Sequence, residues 1–280
     1  MKAKIIMAAA LSAAMLALAP NASAQKLTIL HTNDTHSHID PERGGEDDGH
    51  GGVIERAAFI DSVRVADGAR NVLLLDAGDF DQGSSYFTML GGDLEVELLN
   101  AMGYDAVALG NHEFDNGLEE LARRMHNVKG DVLCANYDFS GFELDNCVKP
   151  YAIYKRGGFK IGVIGLLCDV RSVVAAETAA KLKYLSPAEV TNKWADYLKN
   201  DQKCDLVIAL SHLGYEGDPE SDGNDCGLAA KSRNLDIIIG GHSHTNLPEP
   251  RIVNDLDGKP VTIVQDYRWG LFVGKFDVRK

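Results

Sequence analysis

Short runs of apolar and β-branched residues recur along most of the 280-residue chain. Each run has the length of a strand and is followed by glycine or by polar residues, a pattern typical of buried strands in α/β proteins. The pattern predicts strands at Leu27–Thr32, Val72–Asp76, Ala106–Leu109, Val132–Ala135, Ile161–Leu166, Leu206–Leu210, Ile237–Gly240 and Val261–Gln265.

Helical periodicity separates several of these strands. In Gly117–Asn127 the apolar side chains recur three and four residues apart, so they share one face of a helix. A second helical period spans Pro187–Asn200, where Ser186 and Glu189 form a capping box. Alternating strands and helices predict an α/β protein whose sheets are buried on both faces. Because no repeat and no Pro/Ser-rich linker divides the chain, we expect one domain over residues 25–280.

Residues 1–24 have the layout of a secretory signal peptide. Lys2 and Lys4 precede an apolar run, Ile5–Ala19, and Ala22-Ser23-Ala24 supplies a small-residue cleavage site. The apolar run is shorter than the ~20 residues that a membrane-spanning helix needs. We therefore expect an exported protein, periplasmic or secreted, that begins near Gln25 and has no membrane anchor.

The composition limits the partners and the covalent cross-links. With 28 Lys and Arg against 41 Asp and Glu, the chain has a formal net charge of −13, which repels polyphosphate backbones and predicts no nucleic-acid partner. Five cysteines match no zinc spacing. Cys134 and Cys168 lie in strand-like runs and are expected to be buried. Cys204 and Cys226 flank one segment and are candidates for a disulfide in an exported protein.

Five of the predicted strands end in aspartate, asparagine or histidine, usually beside glycine. In α/β sheets ligands bind at the carboxyl ends of strands, so these five ends can converge. Glycine lets the backbone turn tightly and approach an ion closely. The strand-end segments are Asn33–His36, Asp76–Asp79, Gly110–Asp115, Ser211–His212 and Gly240–His244.

The residue types at these strand ends indicate a metal site. Asp, Asn and His offer oxygen and imidazole donors, which suit zinc, manganese, iron or nickel better than calcium. In Asp34-x-His36 and His242-x-His244, the alternation of side chains along an extended segment puts both donors on one side. One such motif alone is usually explained by a structural histidine. Five of them in order at strand ends predict a shared site for two metals.

Together these motifs resemble the signature of the calcineurin-like metallophosphoesterases, and NDTHSH, GNHEFD and GGHSH resemble the 5′-nucleotidase branch. The resemblance extends from Leu27 to about Lys280. It implies a four-layer α/β/β/α sandwich, with two central mixed sheets flanked by helices. It also implies two divalent ions, of zinc, manganese, iron, nickel or magnesium. The implied ligands are Asp34, His36 and His244 for one ion, Asn111, His212 and His242 for the other, and Asp79 as the bridge.

The resemblance also implies a reaction, the hydrolysis of phosphate esters, with nucleotides as the expected substrates. A hydroxide that bridges the two metals attacks phosphorus, His112 assists the leaving group, and Asp115 holds the ring of His112. His244 departs from the family pattern, in which this position is often glutamine, and the departure bears on metal preference. The alternatives are a phosphodiesterase, including one for cyclic nucleotides, and a metal-loaded binding module that does not catalyse.

Full-length 5′-nucleotidases carry a C-terminal domain that holds the base between aromatic rings. This chain ends at Lys280, so we expect that substrate domain to be absent from this polypeptide. Either a separate chain that resembles it completes the site, or the metal domain acts alone on simpler esters. A non-catalytic module is disfavoured, because every implied ligand and the His112–Asp115 pair are present.

Several residues near these motifs have simpler structural explanations. The run Asp40–Gly52 indicates a solvated loop. Gly51-Gly52 with Arg56, which open the first helix, are a candidate phosphate contact. Tyr267 and Trp269 are expected to cover the core rather than to stack on a base. The histidines expected in structural or surface positions are His31, His38, His50 and His126.

Overall fold

The computed structural model describes residues 25–218 and 220–280, and the expected signal peptide lies outside them. None of the described helices is long and apolar enough to cross a membrane. The strands are β1 (Lys26–Thr32), β2 (Val72–Asp76), β3 (Ala106–Ala108), β4 (Asp131–Leu133), β5 (Tyr137–Asp138), β6 (Val148–Lys149), β7 (Tyr151–Arg156), β8 (Phe159–Leu167), β9 (Lys183–Tyr184), β10 (Leu206–His212), β11 (Ile237–Ile239), β12 (Arg251–Asn254), β13 (Pro260–Val264) and β14 (Gly274–Arg279). The helices are α1 (Val53–Asp67), α2 (Ser85–Leu90), α3 (Asp93–Met102), α4 (Gly117–Met125), α5 (Ala176–Ala179), α6 (Pro187–Asp196) and α7 (Asp225–Lys231).

Most of the strands form two six-stranded mixed sheets. In the first sheet β1, β2, β3, β4 and β6 are parallel, and β14 pairs antiparallel with β1 at one edge. In the second sheet β8, β10, β11 and β13 are parallel, with β7 and β12 antiparallel at the two edges. The short strands β5 and β9 pair separately. The parallel strands of each sheet therefore end at a common edge.

The two sheets pack face to face, and helices cover their outer faces. Ile29 and Leu75 of the first sheet meet Val163 and Ile208 of the second in one buried cluster. The next residue of β1, Leu30, points the other way and packs with side chains of α1, α3 and α4. The outer face of the second sheet packs against α6 and α7. These layers confirm the expected α/β/β/α arrangement, and their strands are buried on both faces.

The predicted elements all form, with strand bounds that shift by no more than two residues. The helix predicted over Gly117–Asn127 is α4. The one predicted over Pro187–Asn200 is α6, which starts at Pro187, ends at Asp196 and continues as a π turn. The hydroxyl of Ser186 accepts the backbone N–H of Glu189 at 3.2 Å, so this part of the capping box is confirmed.

All five cysteines are free thiols. Cys134 and Cys168 are buried, as expected. The candidate disulfide between Cys204 and Cys226 is wrong. Cys204 precedes β10, whereas the N–H of Cys226 bonds the carbonyl of Tyr215 beyond the other end of that strand. A strand of this length spans about 20 Å, and a disulfide needs Cα atoms within about 7 Å.

Candidate metal centre

The carboxyl ends of five parallel strands meet beside one cavity of about 500 Å³. β1, β2 and β3 come from the first sheet, and β10 and β11 come from the second. His212 is the last residue of β10, and the other candidates lie in the loops that directly follow these strands. The structure thus brings together all seven candidate ligands: Asp34, His36, Asp79, Asn111, His212, His242 and His244.

One group of donors consists of Asp34, His36 and His244. Their nearest donor atoms all lie within 4.8 Å of one another. The Nε2 atoms of His36 and His244 are 2.9 Å apart, and His244 Nε2 is 3.5 Å from Asp34 Oδ1. These three residues are the set that the family resemblance implied for one metal ion.

The second group consists of Asp79, His212 and His242, again within 4.8 Å. Asp79 Oδ2 is 3.0 Å from His212 Nε2 and 3.9 Å from His36 Nε2, so one carboxylate reaches both groups. Asn111 lines the same cavity, and its amide oxygen accepts a weak hydrogen bond from Cys168 Sγ at 3.8 Å. The arrangement matches a pair of sites with a shared aspartate.

Five of the seven candidates have a left-handed backbone, which costs a residue other than glycine about 1–2 kcal/mol. Hydrogen bonds between loops hold this conformation: the N–H of Asp34 bonds the Gly78 carbonyl at 2.9 Å, and that of His36 bonds the Asp79 carbonyl at 3.0 Å. The strained backbone therefore persists because neighbouring strand-end loops fix each other. The φ angles are 49° at Asp34, 46° at His36, 55° at Asp79, 73° at His242 and 51° at His244.

Glycine permits the close approach that the sequence predicted at the strand ends. A Cβ atom on Gly110 would lie 2.2 Å from Asp79 Oδ1, and one on Gly241 would lie 2.9 Å from His212 Nδ1. Both distances are shorter than any normal contact. Any larger residue at either position would push a candidate ligand out of place.

The hydrogen bonds of His212 fit a metal ion. Its Nδ1 lies 2.7 Å from the Ala77 carbonyl and donates there, which leaves Nε2 to face the carboxylates. Nε2 is buried and lies 3.0 Å from Asp79 Oδ2, without a well-aligned hydrogen bond among the described residues. Burial lowers the pKa of His212, but Asp79 and Asp34 outweigh it and raise the pKa to about 10. A divalent cation at Nε2 would replace that proton and offset both carboxylates.

His36 and His242 also fit a bound metal ion. Burial lowers the pKa of each to about 4, so both rings are neutral near pH 7 and keep a lone pair for a cation. Neutral imidazoles beside two buried aspartates leave a surplus of negative charge. The donor set therefore suits divalent ions that accept both nitrogen and oxygen.

His112 and Asp115 form a hydrogen-bonded pair at the rim of the cavity. His112 Nδ1 donates to Asp115 Oδ2 at 2.9 Å, and the ring centroid lies 5.3 Å from that of His36. The bond to Asp115 raises the pKa of His112 against the effect of burial. The side chain of His112 is 30% exposed, so a substrate can reach it. A nitrogen of His112 also lies within 4.8 Å of donors on His36 and Asp79.

Residues 27–246 match the family model of calcineurin-like phosphoesterases. The chain belongs to this family. The match includes every candidate ligand and the His112–Asp115 pair.

Several of the similar proteins are named as 5′-nucleotidases. The snake venom 5′-nucleotidase of Naja atra is 35% identical over 277 aligned positions, which cover 90% of this chain and 50% of that protein. The 5′-nucleotidase of Vibrio cholerae is 35% identical, and the alignment covers 99% of this chain and 55% of that protein. The crystal structure of a 5′-nucleotidase precursor from Thermus thermophilus superposes with a TM-score of 0.78 at 36% identity. The match covers 90% of this chain and 51% of that one. The chain thus spans about half the length of the curated relatives that it matches.

Glu113 is a part of this phosphoesterase site that sequence reasoning missed. Its fully buried carboxylate accepts backbone N–H groups from Asp79 at 3.0 Å, Asp81 at 3.1 Å and Gly110 at 2.5 Å. Burial, and then the charge of Asp79, raise its pKa to about 8. The side chain ties the β2 and β3 loops together, and both loops carry candidate ligands. The signal was present in Gly110–Asp115, where Glu113 follows His112, but its partners are distant in sequence.

We expect Glu113→Ala to lower the free energy of unfolding by at least about 3 kcal/mol, because three buried amides lose their acceptor at about 1–3 kcal/mol each. Chemical denaturation of the purified protein measures this change. Glu113→Gln keeps one acceptor oxygen and should lose less. Glu119→Ala, an exposed glutamate on α4, is the matched control and should change little. Equal stability of the Glu113→Ala and Glu119→Ala variants would contradict the role given to Glu113.

Two predictions about aromatic and histidine side chains need correction. Trp269, expected over the core, is half-buried and lines the metal cavity. His38, expected as a plain loop histidine, lines it too and stacks on Trp269 with centroids 4.6 Å apart and planes 11° apart. Arg268 lies over the Trp269 ring at 3.9 Å. The reason is a backbone hydrogen bond of 2.6 Å from Trp269 to Asp34, which draws the loop after β13 to the site.

The remaining histidines are where the sequence suggested. His31 is buried and its Nδ1 lies 3.1 Å from Asp266 Oδ2, whereas His50 and His126 are exposed. Gly51-Gly52 and Arg56 do not line the metal cavity. They line a separate cavity of about 250 Å³ at the start of α1, and a phosphate contact from them stays a prediction.

Proposed function

We propose that this chain hydrolyses phosphate esters at a centre of two divalent metals, with nucleotides as the expected substrates. The observation that carries the proposal is the Asp79 carboxylate, which reaches His36 in one donor group and His212 in the other, beside the His112–Asp115 pair. The similarity to several 5′-nucleotidases supports the choice of nucleotides.

In this proposal each metal ion has three ligands of its own and shares Asp79. When bound, the two ions would lower the pKa of a water molecule for attack and polarise the phosphoryl oxygens. Zinc, manganese, iron, nickel and magnesium are the candidates, from the mixture of nitrogen and oxygen donors. One ion is assigned to Asp34, His36 and His244, and the other to Asn111, His212 and His242.

We assign contact with the reacting part of the substrate to His112. Because its Nδ1 is committed to Asp115, its Nε2 is the atom that remains to meet a phosphoryl or leaving-group oxygen. A protonated ring there stabilises the negative charge that develops, or gives its proton to the leaving oxygen. Asp115 orients the ring and favours its protonated form. His112 is therefore proposed as the catalytic acid and Asp115 as its positioning residue.

We propose that the described residues alone do not select the leaving group. The relatives are about twice as long as this chain. We propose that a segment resembling the C-terminal half of these relatives, for which a separate partner chain is one candidate, recognises the base, and that the protein is exported after removal of residues 1–24. The venom relative is a secreted protein by its name, which agrees with export.

A substrate panel tests the function. We expect the purified chain to hydrolyse p-nitrophenyl phosphate and AMP in the presence of manganese or zinc, and to lose activity when a chelator strips the metals. Adding back manganese or zinc should restore turnover, because the loops that carry the candidate ligands hold one another in place without metal. Release of p-nitrophenol and of inorganic phosphate measures the two reactions.

Further arms of the panel separate the alternatives. A higher rate on bis(p-nitrophenyl) phosphate than on the monoester would make the chain a phosphodiesterase. An increase in AMP hydrolysis on adding a nucleotidase C-terminal-like chain would support the proposed partner. Metal binding without turnover of any ester would leave a binding module and overturn the proposed function.

A further inference from the structure

The strand β13 ends beside the candidate metal centre but supplies no candidate ligand. It runs parallel to β11 in the second sheet, so its carboxyl end lies at the same edge of that sheet as the end of β11. The segment that follows it, residues 265–273, crosses to the first sheet, where β14 pairs with β1. We call this segment the crossing loop. It links the two sheets whose strand ends must stay in register for the site to form.

Asn33 joins the crossing loop to the candidate ligand Asp34. The side chain of Asn33 is buried. Its amide nitrogen donates to Asp34 Oδ2 at 2.6 Å and to the Tyr267 carbonyl at 2.8 Å. Its amide oxygen accepts the N–H of Asp266 at 2.9 Å. With Oδ2 held by Asn33, the other carboxylate oxygen of Asp34 faces His244 Nε2 at 3.5 Å, in the donor group assigned to one ion.

Gln265 joins the crossing loop to the loop after β11, which carries two of the candidate histidine ligands. The side chain of Gln265 is fully buried. Its amide nitrogen donates to the Gly241 carbonyl at 3.1 Å. Its amide oxygen accepts the N–H of Thr245 at 2.5 Å and the hydroxyl of Ser243 at 3.1 Å. These bonds fall before, between and after the two histidines, so one side chain fixes the whole loop.

Two bulky residues of the crossing loop have a strained backbone. The φ angles are 59° at Tyr267 and 61° at Trp269, in the left-handed region that bulky residues rarely adopt. Such strain persists only where neighbouring contacts over-determine it. The bond from Asn33 to the Tyr267 carbonyl is one of these contacts. A second is the backbone hydrogen bond of 2.6 Å from Trp269 to Asp34, so the crossing loop and the loop after β1 fix each other.

Two buried amides thus hold candidate ligands of both sheets through one loop. We propose that Asn33 and Gln265 are positioning residues of the metal centre. Asn33 presents Asp34 to one ion, and Gln265 holds His242 and His244, which belong to different ions. Removing a group that orients a metal ligand typically weakens metal binding by about 10–100-fold. This role rests on the proposed function in that two ions bind, but it does not require that any ester is hydrolysed.

Titration of the metal-stripped protein with cobalt(II) tests the two roles, because the visible absorption of bound cobalt reports its donors and no ester is needed. Asn33→Leu and Gln265→Met keep the side-chain volume and remove the hydrogen-bonding groups. We expect Asn33→Leu to raise the Kd of one cobalt ion by about 10–100-fold and to leave the other nearly unchanged. Gln265→Met should raise both Kd values by about 10–100-fold, because each ion loses the support of one histidine.

Asn192→Leu is the matched control. The side chain of Asn192 donates to the Lys231 carbonyl at 3.0 Å and accepts the N–H of Arg233 at 2.7 Å, the same kind of bonds that Asn33 makes to the crossing loop. Asn192 does not line the metal cavity. This variant should lose stability, as any buried backbone group does when its partner is removed, but keep the cobalt affinity and the spectrum of the wild-type protein.

The outcomes separate this proposal from the proposed function. Wild-type cobalt affinity in the folded Asn33→Leu and Gln265→Met proteins would overturn the positioning roles, and so would an equal loss of affinity in Asn192→Leu. If one of the two site variants does not fold, the other decides. Binding of two cobalt ions without turnover of any ester would overturn the proposed function alone. A wild-type protein that takes up no cobalt would overturn both.

Discussion

Asp79→Asn is expected to remove phosphoesterase activity and to release metal from both sites. The carboxylate of Asp79 lies 3.0 Å from His212 Nε2 and 3.9 Å from His36 Nε2, so its charge serves both donor groups. Asparagine keeps the shape but removes the negative charge that two adjacent cations need. We expect turnover to fall by at least about 10³-fold, beyond the 10–100-fold that outer-shell changes cause. Metal analysis and steady-state turnover measure the two losses.

The matched control is Asp138→Asn, because Asp138 is an exposed carboxylate on β5 away from the metal cavity. This variant should keep its metals and its activity. The Asp79→Asn protein should remain folded in the absence of metal, which circular dichroism checks. Full metal content in the folded Asp79→Asn protein would contradict the assignment of Asp79 as the shared ligand.

The layered fold could be predicted because its strands are buried on both faces. β2 and β10 are continuous apolar runs, which only a sheet covered on both sides explains. The edge strands β12 and β14 were not predicted. β14 alternates half-buried and exposed residues over Gly274–Arg279, with its lysine and aspartate at exposed positions, but the run is short and has few apolar residues. β14 takes its conformation from its pairing with β1. The paired residues Thr28 and Asp277 are 249 positions apart, so a local pattern does not contain that information.

The convergence of the seven candidate ligands could be predicted, because each lies at or just after the end of a strand and parallel strand ends meet at one edge of a sheet. Their division between two ions comes from the family resemblance and stays a prediction. The supporting contacts could not be predicted in this way. Arg124 lies within the amphipathic helix α4, where an arginine is normally solvated, yet it is fully buried and bonds Asp81 and the Glu113 carbonyl. The stacking of His38 on Trp269 also joins residues far apart in the chain.

His112→Ala is expected to keep both metals and to lower kcat by about 10²–10⁴-fold, the usual contribution of a positioned acid. The ring bonds Asp115 through Nδ1 at 2.9 Å and has no other hydrogen bond through its side chain among the described residues. Removing it therefore leaves all of the candidate ligands in place. The loss should fall mainly on esters with poor leaving groups, because p-nitrophenolate needs little protonation to depart. Comparing AMP with p-nitrophenyl phosphate measures that difference.

Asp115→Asn should lose less activity than His112→Ala, since the ring remains but its orientation and protonation are less well supported. His126→Ala is the matched control, because His126 is exposed at the end of α4 and, within the described part of the chain, its ring bonds only the Ala122 carbonyl. A nitrogen of His112 lies within 4.8 Å of donors on His36 and Asp79, so metal content decides between the two roles. Loss of one metal ion in the folded His112→Ala protein would make His112 a ligand rather than the catalytic acid.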